Sequence, residues 1–72
     1  MKHQDLELLL RAYNAFVEKR WMYVYPGEKT AVKRLIRARF LSRKLASPEM
    51  VELTLSGGYM VEKLVRTLRG GL

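Results

Sequence analysis

The sequence predicts a small domain that is mainly α-helical. Apolar side chains recur at the three- and four-residue spacing of an α-helix in three stretches, at residues 6–17, 32–36 and 60–68. The chain has 72 residues, of which 49% are apolar, and this is enough for one small core. We therefore expect residues 1–72 to form a single domain. A homodimer or a larger assembly is a natural way for so short a chain to complete its core.

The first helix is predicted from about residue 5 to residue 20. Asp5 suits the N-cap position, and one apolar stripe follows it at helical spacing: Leu6, Leu9, Leu10, Tyr13, Phe16 and Val17. This stripe is expected to pack in the core. Three further residues lie off the stripe and would widen it into a dimer seam: Leu8, Ala12 and Ala15.

The segment after the first helix favours an extended conformation. Residues 20–25 are rich in β-forming and aromatic side chains, and Pro26-Gly27 is typical of a turn. A short strand or extended connector would place Trp21, Tyr23 and Tyr25 on one side. We expect these rings to belong to the core, because aromatic residues in small domains are buried more often than they stack on bases.

The second helix is predicted from about residue 28 to residue 39. Glu28 suits its first turn, and Val32, Leu35 and Ile36 form an arc that would face the core. Four cations form another arc: Lys29, Lys33, Arg34 and Arg37. Replacing Arg34 and Arg37 by alanine should therefore leave the stability nearly unchanged, whereas Leu35→Ala should be costly.

Residues 29–48 carry the whole excess of positive charge. This stretch, which we call the basic segment, holds seven basic side chains and no acidic one, while the charges on either side of it cancel. All of the formal net charge of +7 therefore lies there. Because mixed signs would serve solubility better, the composition indicates that an anionic partner meets the basic segment.

Residues 46–58 allow two interpretations. Ser47-Pro48-Glu49 is typical of a helix start, which would give a short helix at residues 48–55. Alternatively, residues 50–55 alternate as in a strand, with Val51, Leu53 and Leu55 on one face. The closing segment is clearer, since apolar spacing predicts a helix from about residue 58 to residue 69.

Residues 51–68, VELTLSGGYMVEKLVRTL, resemble the end of small winged-helix regulators. In that family a wing strand ends on Leu-Thr, a Gly follows three residues after the Thr, and an amphipathic helix continues. The matching positions are Leu53, Thr54, Gly57, Met60, Leu64 and Val65. The Thr would cap the incoming helix while the Leu pins the wing to the core. Upstream, residues 32–44, VKRLIRARFLSRK, resemble a recognition helix that runs into the first wing strand.

The resemblance covers about residues 28–69 and implies a winged-helix-like helix-turn-helix with a small two-stranded β-hairpin. One feature departs from the family, because residues 21–27 are too few for both a strand and the helix that normally precedes the recognition helix. The alternative is an all-α helix-turn-helix bundle of four helices, in which residues 48–55 are helical. We favour the winged form.

The same resemblance implies a nucleic-acid site. Five side chains would face the DNA major groove and two on the wing would hold phosphate or the minor groove: Lys29, Thr30, Lys33, Arg34 and Arg37, then Arg43 and Lys44. The implied function is transcription regulation or DNA architecture, with duplex DNA favoured over RNA. A second hypothesis is a non-enzymatic structural subunit of a larger ribonucleoprotein or nucleic-acid machine, which would bind RNA phosphate and neighbouring proteins.

Neither an enzyme nor a cofactor-binding or metal-binding protein is expected. His3 is the only histidine and there is no cysteine, so that zinc sites and Cys/His nucleophiles are excluded. The longest aliphatic run, Leu8-Leu9-Leu10, is far shorter than the ~20 apolar residues of a membrane span. The lack of cysteine fits a cytoplasmic protein, and the arginine-rich charge with few side-chain amides favours a thermophilic source.

Overall fold

A computed structural model describes residues 2–70 and shows three α-helices with a small three-stranded antiparallel sheet. The helices are α1 (His3–Val17), α2 (Lys29–Arg37) and α3 (Leu55–Gly70), and the strands are β1 (Met22–Tyr23), β2 (Leu41–Lys44) and β3 (Ser47–Leu53). A single 3₁₀ turn, Pro26–Glu28, leads into α2. The mainly α-helical class is therefore confirmed, and the hairpin is joined by a third strand.

The sheet places β3 in the centre, in the order β1-β3-β2. Leu41 pairs with Leu53 on one side of β3, and Met22 pairs with Val51 on the other. The all-α alternative with a helix at residues 48–55 is therefore wrong. Alternation prevails over the helix-start signal because β3 finds a partner on both edges, so that Val51 and Leu53 enter the core while Glu52 stays exposed.

The face by which α1 packs differs from the predicted stripe. The buried side chains are Asp5, Leu8, Leu9, Ala12 and Ala15. Leu10, Phe16 and Val17 are exposed instead. The predicted seam at Leu8, Ala12 and Ala15 is thus the core face, since the two alanines let α1 approach the sheet and α2 closely.

Asp5 is also not the N-cap of α1. The helix begins two residues earlier, with Lys2 in the cap position, and the Lys2 backbone N–H donates to Asp5 Oδ2 at 3.3 Å. At its other end α1 stops at Val17, and Lys19 adopts a left-handed φ of 58°. The Arg20 N–H donates to the Ala15 carbonyl, which ends the helix in a Schellman arrangement short of residue 20.

The three aromatic residues of the segment 20–25 alternate with Met22 and Val24, and the two tyrosine rings lie outside the core. Met22 and Val24 are the buried members of the segment. Tyr23 and Tyr25 are 45% and 57% exposed, and their rings meet edge to face at 5.1 Å between centroids. The expectation that these rings belong to the core is therefore wrong for both tyrosines, because Met22 and Val24 occupy the inward positions of the alternation.

The junction between β3 and α3 follows the Leu-Thr-x-x-Gly pattern. Leu53 is buried, and Thr54 Oγ1 accepts a hydrogen bond from the Gly57 N–H at 3.0 Å, which makes Thr54 an N-cap. The same hydroxyl donates to the Arg39 carbonyl at 2.6 Å. The predicted cap is confirmed, and α3 starts at Leu55, three residues earlier than expected.

Candidate nucleic-acid interface

Helix α2 separates a core face from a cationic face. Ala31, Val32 and Leu35 are buried, as the predicted arc requires. Lys29, Lys33 and Arg37 are exposed and lie four residues apart, which places them in one row along the helix. Thr30 is exposed beside this row.

Strand β2 brings Arg43 to the same side of the molecule. Arg43 pairs with Val51, whose side chain is fully buried, so that Arg43 projects from the face of the sheet that α2 covers. There it borders a cleft of about 370 Å³ between α2 and the sheet. The cleft is lined by Val24, Lys29, Val32, Lys33, Arg43 and Glu49. Three cations and one acid thus meet there.

A second, more open cleft continues the surface past the end of α2. It has a volume of about 680 Å³ and is lined by Ile36, Arg37, Arg39, Leu41, Ser42, Arg43, Thr54, Leu55 and Ser56. Arg43 borders both clefts and so joins them. We call the five exposed cations of this continuous surface the basic face: Lys29, Lys33, Arg37, Arg39 and Arg43.

Arg39 is a member of the basic face that the sequence interpretation left out. A helix continued to residue 39 assigns this side chain to the apolar arc. In the structure α2 ends at Arg37, and Arg39 adopts a left-handed φ of 68° while the Phe40 N–H donates to the Leu35 carbonyl. Its place in the acid-free basic segment was the signal that pointed to it.

Arg34 is tied to the first helix rather than to the basic face. Its guanidinium Nη2 donates to Asp5 Oδ1 at 2.8 Å, and the Asp5 side chain is only 7% exposed. The hydrogen bond from Arg34 lowers the pKa of the Asp5 carboxyl, against the opposing effect of burial. This pair joins α1 to α2, and it argues against the expectation that Arg34 can be replaced at no cost in stability.

Lys44 also lies apart from the basic face. Its ammonium group sits over the Trp21 ring, 5.0 Å from the centroid, at a distance that allows a cation–π interaction. The pairing of β2 with β3 is irregular between Arg43 and Lys44. Of the seven predicted site residues, the structure therefore brings together Lys29, Thr30, Lys33, Arg37 and Arg43, and separates Arg34 and Lys44 from them.

A second ion pair fixes the start of α2. Arg11 Nη2 donates to Glu28 Oε1, and the same oxygen accepts the Tyr25 N–H at 3.1 Å. The bond from Arg11 lowers the pKa of Glu28, and it raises the pKa of the Arg11 guanidinium. Through these contacts the 3₁₀ turn is anchored to α1, which sets the direction in which α2 presents its cations.

Within residues 2–70, no group of three or more His, Asp or Glu side chains is arranged to hold a metal ion. No helix in this part of the chain is long and apolar enough to cross a bilayer. Comparison of the chain with models of protein families, with curated proteins and with solved structures gives no match.

Proposed function

We propose that this chain is a duplex-DNA-binding protein with a winged-helix-like arrangement, a small regulator or architectural factor. The observation that carries the proposal is the basic face, five exposed cations on α2, on β2 and on the turn between them. Within the described residues none of the five forms an ion pair. Their positive potential is therefore free to act on a polyanion, and duplex DNA presents one negative charge for each ~1.7 Å of its axis.

The order of the elements supports this arrangement. In this proposal helix α2 serves as the recognition helix, and the antiparallel hairpin of β2 and β3 serves as the wing. The 3₁₀ turn Pro26–Glu28 would then replace the further helix of the family, in keeping with the short connection between α1 and α2. At nine residues α2 is about 13 Å long, and its diameter suits the ~12 Å width of the major groove.

The residues of the basic face suit different contacts. Lysines act as point charges, so Lys29 and Lys33 fit phosphate oxygens on the edge of the groove. Arg37 carries a planar fork that suits a phosphate held through two hydrogen bonds, and Thr30 offers a hydroxyl to a base edge from the same helix. Arg43 projects from the hairpin and fits the phosphates beyond the groove.

The test is a titration of duplex DNA over a range of salt concentrations. If the five cations each neutralise a phosphate, log affinity should fall against log salt with a slope of about −4 to −5, at roughly −0.9 per contact. Lys33→Ala with Arg37→Ala should make the slope shallower by about 2. If the affinity of the unmodified protein for duplex DNA does not change with salt concentration, the proposal is refuted.

Lys63→Ala with Arg66→Ala is the matched control. It removes one lysine and one arginine, both exposed on α3 and both outside the basic face. The control should bind DNA with the same slope as the unmodified protein. An equal loss of slope in the two variants would show that net charge, rather than the basic face, drives binding.

A second candidate function is a structural subunit of a ribonucleoprotein, and the exposed rings of Tyr23 and Tyr25 favour it. Unpaired bases stack on aromatic side chains, each worth ~1–3 kcal/mol. In this case Tyr23→Ala with Tyr25→Ala would weaken binding of single-stranded RNA and leave duplex DNA unaffected. A regulator should also prefer some duplex over random competitor by ~10³ or more, whereas an assembly subunit should show little preference.

A further inference from the structure

Helix α3 extends its apolar arc beyond the core of its own domain. The arc begins at Val61, which is 1% exposed, continues through the partly buried Leu64 and Val65, and ends at Leu68, which is 74% exposed. With 16 residues α3 is about 24 Å long. Its last turns therefore present leucine and valine side chains that no element of residues 2–70 covers fully.

Helix α1 also exposes apolar side chains, and Phe16 is the one that lies near the start of α3. Phe16 and Val17 are 57% and 61% exposed, and Leu10 is 46% exposed. A cleft of about 540 Å³ separates α1 from the start of α3, and it is lined by Tyr13, Phe16, Glu52, Leu53, Thr54, Leu55, Gly58, Tyr59 and Glu62. Exposed apolar side chains with acids at their rim are typical of a protein–protein interface.

The charges of α3 indicate which partner covers this apolar surface. Glu62 and Arg69 lie seven residues apart and so share one edge of the helix, with Val65 between them on the same edge. A twofold axis near Val65 would set each Glu62 opposite the partner's Arg69. When two copies of α3 run antiparallel, the acid of each copy therefore faces the base of the other. This is the self-complementary arrangement that an isologous contact between two copies requires.

We propose that two copies of this chain associate through antiparallel α3 helices, with Val65 and Leu68 near the axis and Glu62 paired with the partner's Arg69. A stable interface buries about 800 Å² on each partner, roughly one seventh of the 5504 Å² that the chain exposes. No cation of the basic face takes part, so the association does not rest on nucleic-acid binding.

The experiment is sedimentation velocity of the full chain without nucleic acid, from about 1 µM to about 1 mM protein. The unmodified chain should dimerise within this range. Glu62→Arg and Arg69→Glu should each raise the dimer Kd about tenfold or more, because each sets like charges face to face. The double reversal should return the Kd to within about threefold of the original. Circular dichroism of each variant verifies that its helices are intact.

Lys63→Glu is the control for charge reversal on α3, since Lys63 lies next to Glu62 but turns away from the proposed contact. It should leave the Kd unchanged. A chain that stays monomeric at every concentration overturns the proposal, and so does a dimer that the two single reversals leave intact. Failure of the double reversal to restore association overturns the antiparallel pairing.

Discussion

Gly57 lies at the start of α3 against the loop that follows α2. A Cβ added at this glycine would meet the Phe40 carbonyl oxygen at a distance that real Cβ atoms do not adopt, and would lie 2.7 Å from Leu53 Cδ1. The first obstacle is backbone and cannot rotate away. The second belongs to a buried side chain in the core.

Gly57→Ala should therefore destabilise the protein although it places alanine in a helix. Overpacking costs about 1–3 kcal/mol, here about 2–3 kcal/mol because a backbone oxygen stands in the way, and helix propensity returns up to about 1 kcal/mol. The expected net loss is about 1–2 kcal/mol, which lowers the Tm of a domain of this size by about 4–16 °C. Thermal unfolding followed by far-ultraviolet circular dichroism measures this loss.

Gly58→Ala is the matched control in the same turn of α3. Its added Cβ would lie 3.8 Å from Leu53 Cδ2, an ordinary van der Waals contact. This variant should gain about 0.5–1 kcal/mol from helix propensity alone, and its Tm should rise. If Gly57→Ala melts at or above the temperature of the unmodified protein, the close packing of α3 on the Phe40 loop is refuted.

Three further predictions concern the attachment of α2. Arg34→Ala should lower the free energy of unfolding by about 1–3 kcal/mol, because it leaves the Asp5 carboxylate buried without its cation. Arg37→Ala should change it by no more than about 0.5 kcal/mol. Equal losses for the two variants in urea titrations would contradict the ion pair. The pKa of the Asp5 carboxyl is lower in the folded protein than its ordinary value of about 4. Asp5 therefore stabilises the fold above about pH 4, and this contribution is lost as the pH falls through the folded pKa. The Tm of Asp5→Asn should therefore fall less steeply in acid, with the residual slope due to Glu28, and an identical slope would contradict this assignment. Leu35→Ala should lower the free energy of unfolding by ~2–5 kcal/mol in denaturant titrations, since Leu35 is 2% exposed. A negligible loss would show that the core face and the cationic face of α2 have been assigned the wrong way round.

The sequence was sufficient to place α2 because its two faces differ strongly. Apolar side chains and cations lie on opposite faces of α2 along its whole length. Only one orientation of the helix therefore buries the apolar side chains and keeps the charges in water. The cap at Thr54 was also predicted, through the resemblance of residues 51–68 to winged-helix regulators, because an N-cap requires a particular kind of side chain. Both features are local, and local features survive without knowledge of the rest of the fold.

Helix α1 could not be oriented from its sequence for the opposite reason. Apolar residues occur on most sides of it, so that periodicity defines several arcs of similar quality. The arc containing Ala12 and Ala15 is buried because small side chains permit close packing against the sheet and α2. That choice depends on the shape of the partner surface, which no spacing within α1 records.

The division of the cations was unpredictable in the same way. Arg34 and Arg37 are neighbours on one helix, and they differ only because Asp5, which is 29 residues distant from Arg34 in sequence, reaches Arg34. Lys44, the last residue of β2, likewise contacts Trp21, which lies directly before β1 and is distant in sequence. Sequence alone therefore counts seven side chains in the predicted site but cannot say which of them are held by the protein itself.

This division can be measured on the unmodified protein. The sequence places seven cations in the basic segment, and seven phosphate contacts would give a salt slope of about −6. The structure holds Arg34 against Asp5 and Lys44 against Trp21, which leaves the five cations of the basic face and a slope nearer −4.5. A slope near −6 would mean that DNA draws both side chains away from their partners, and Asp5 would then lose its cation. In that case the acid sensitivity assigned to Asp5 should differ between the free and the DNA-bound protein, because the lowered pKa depends on the hydrogen bond from Arg34.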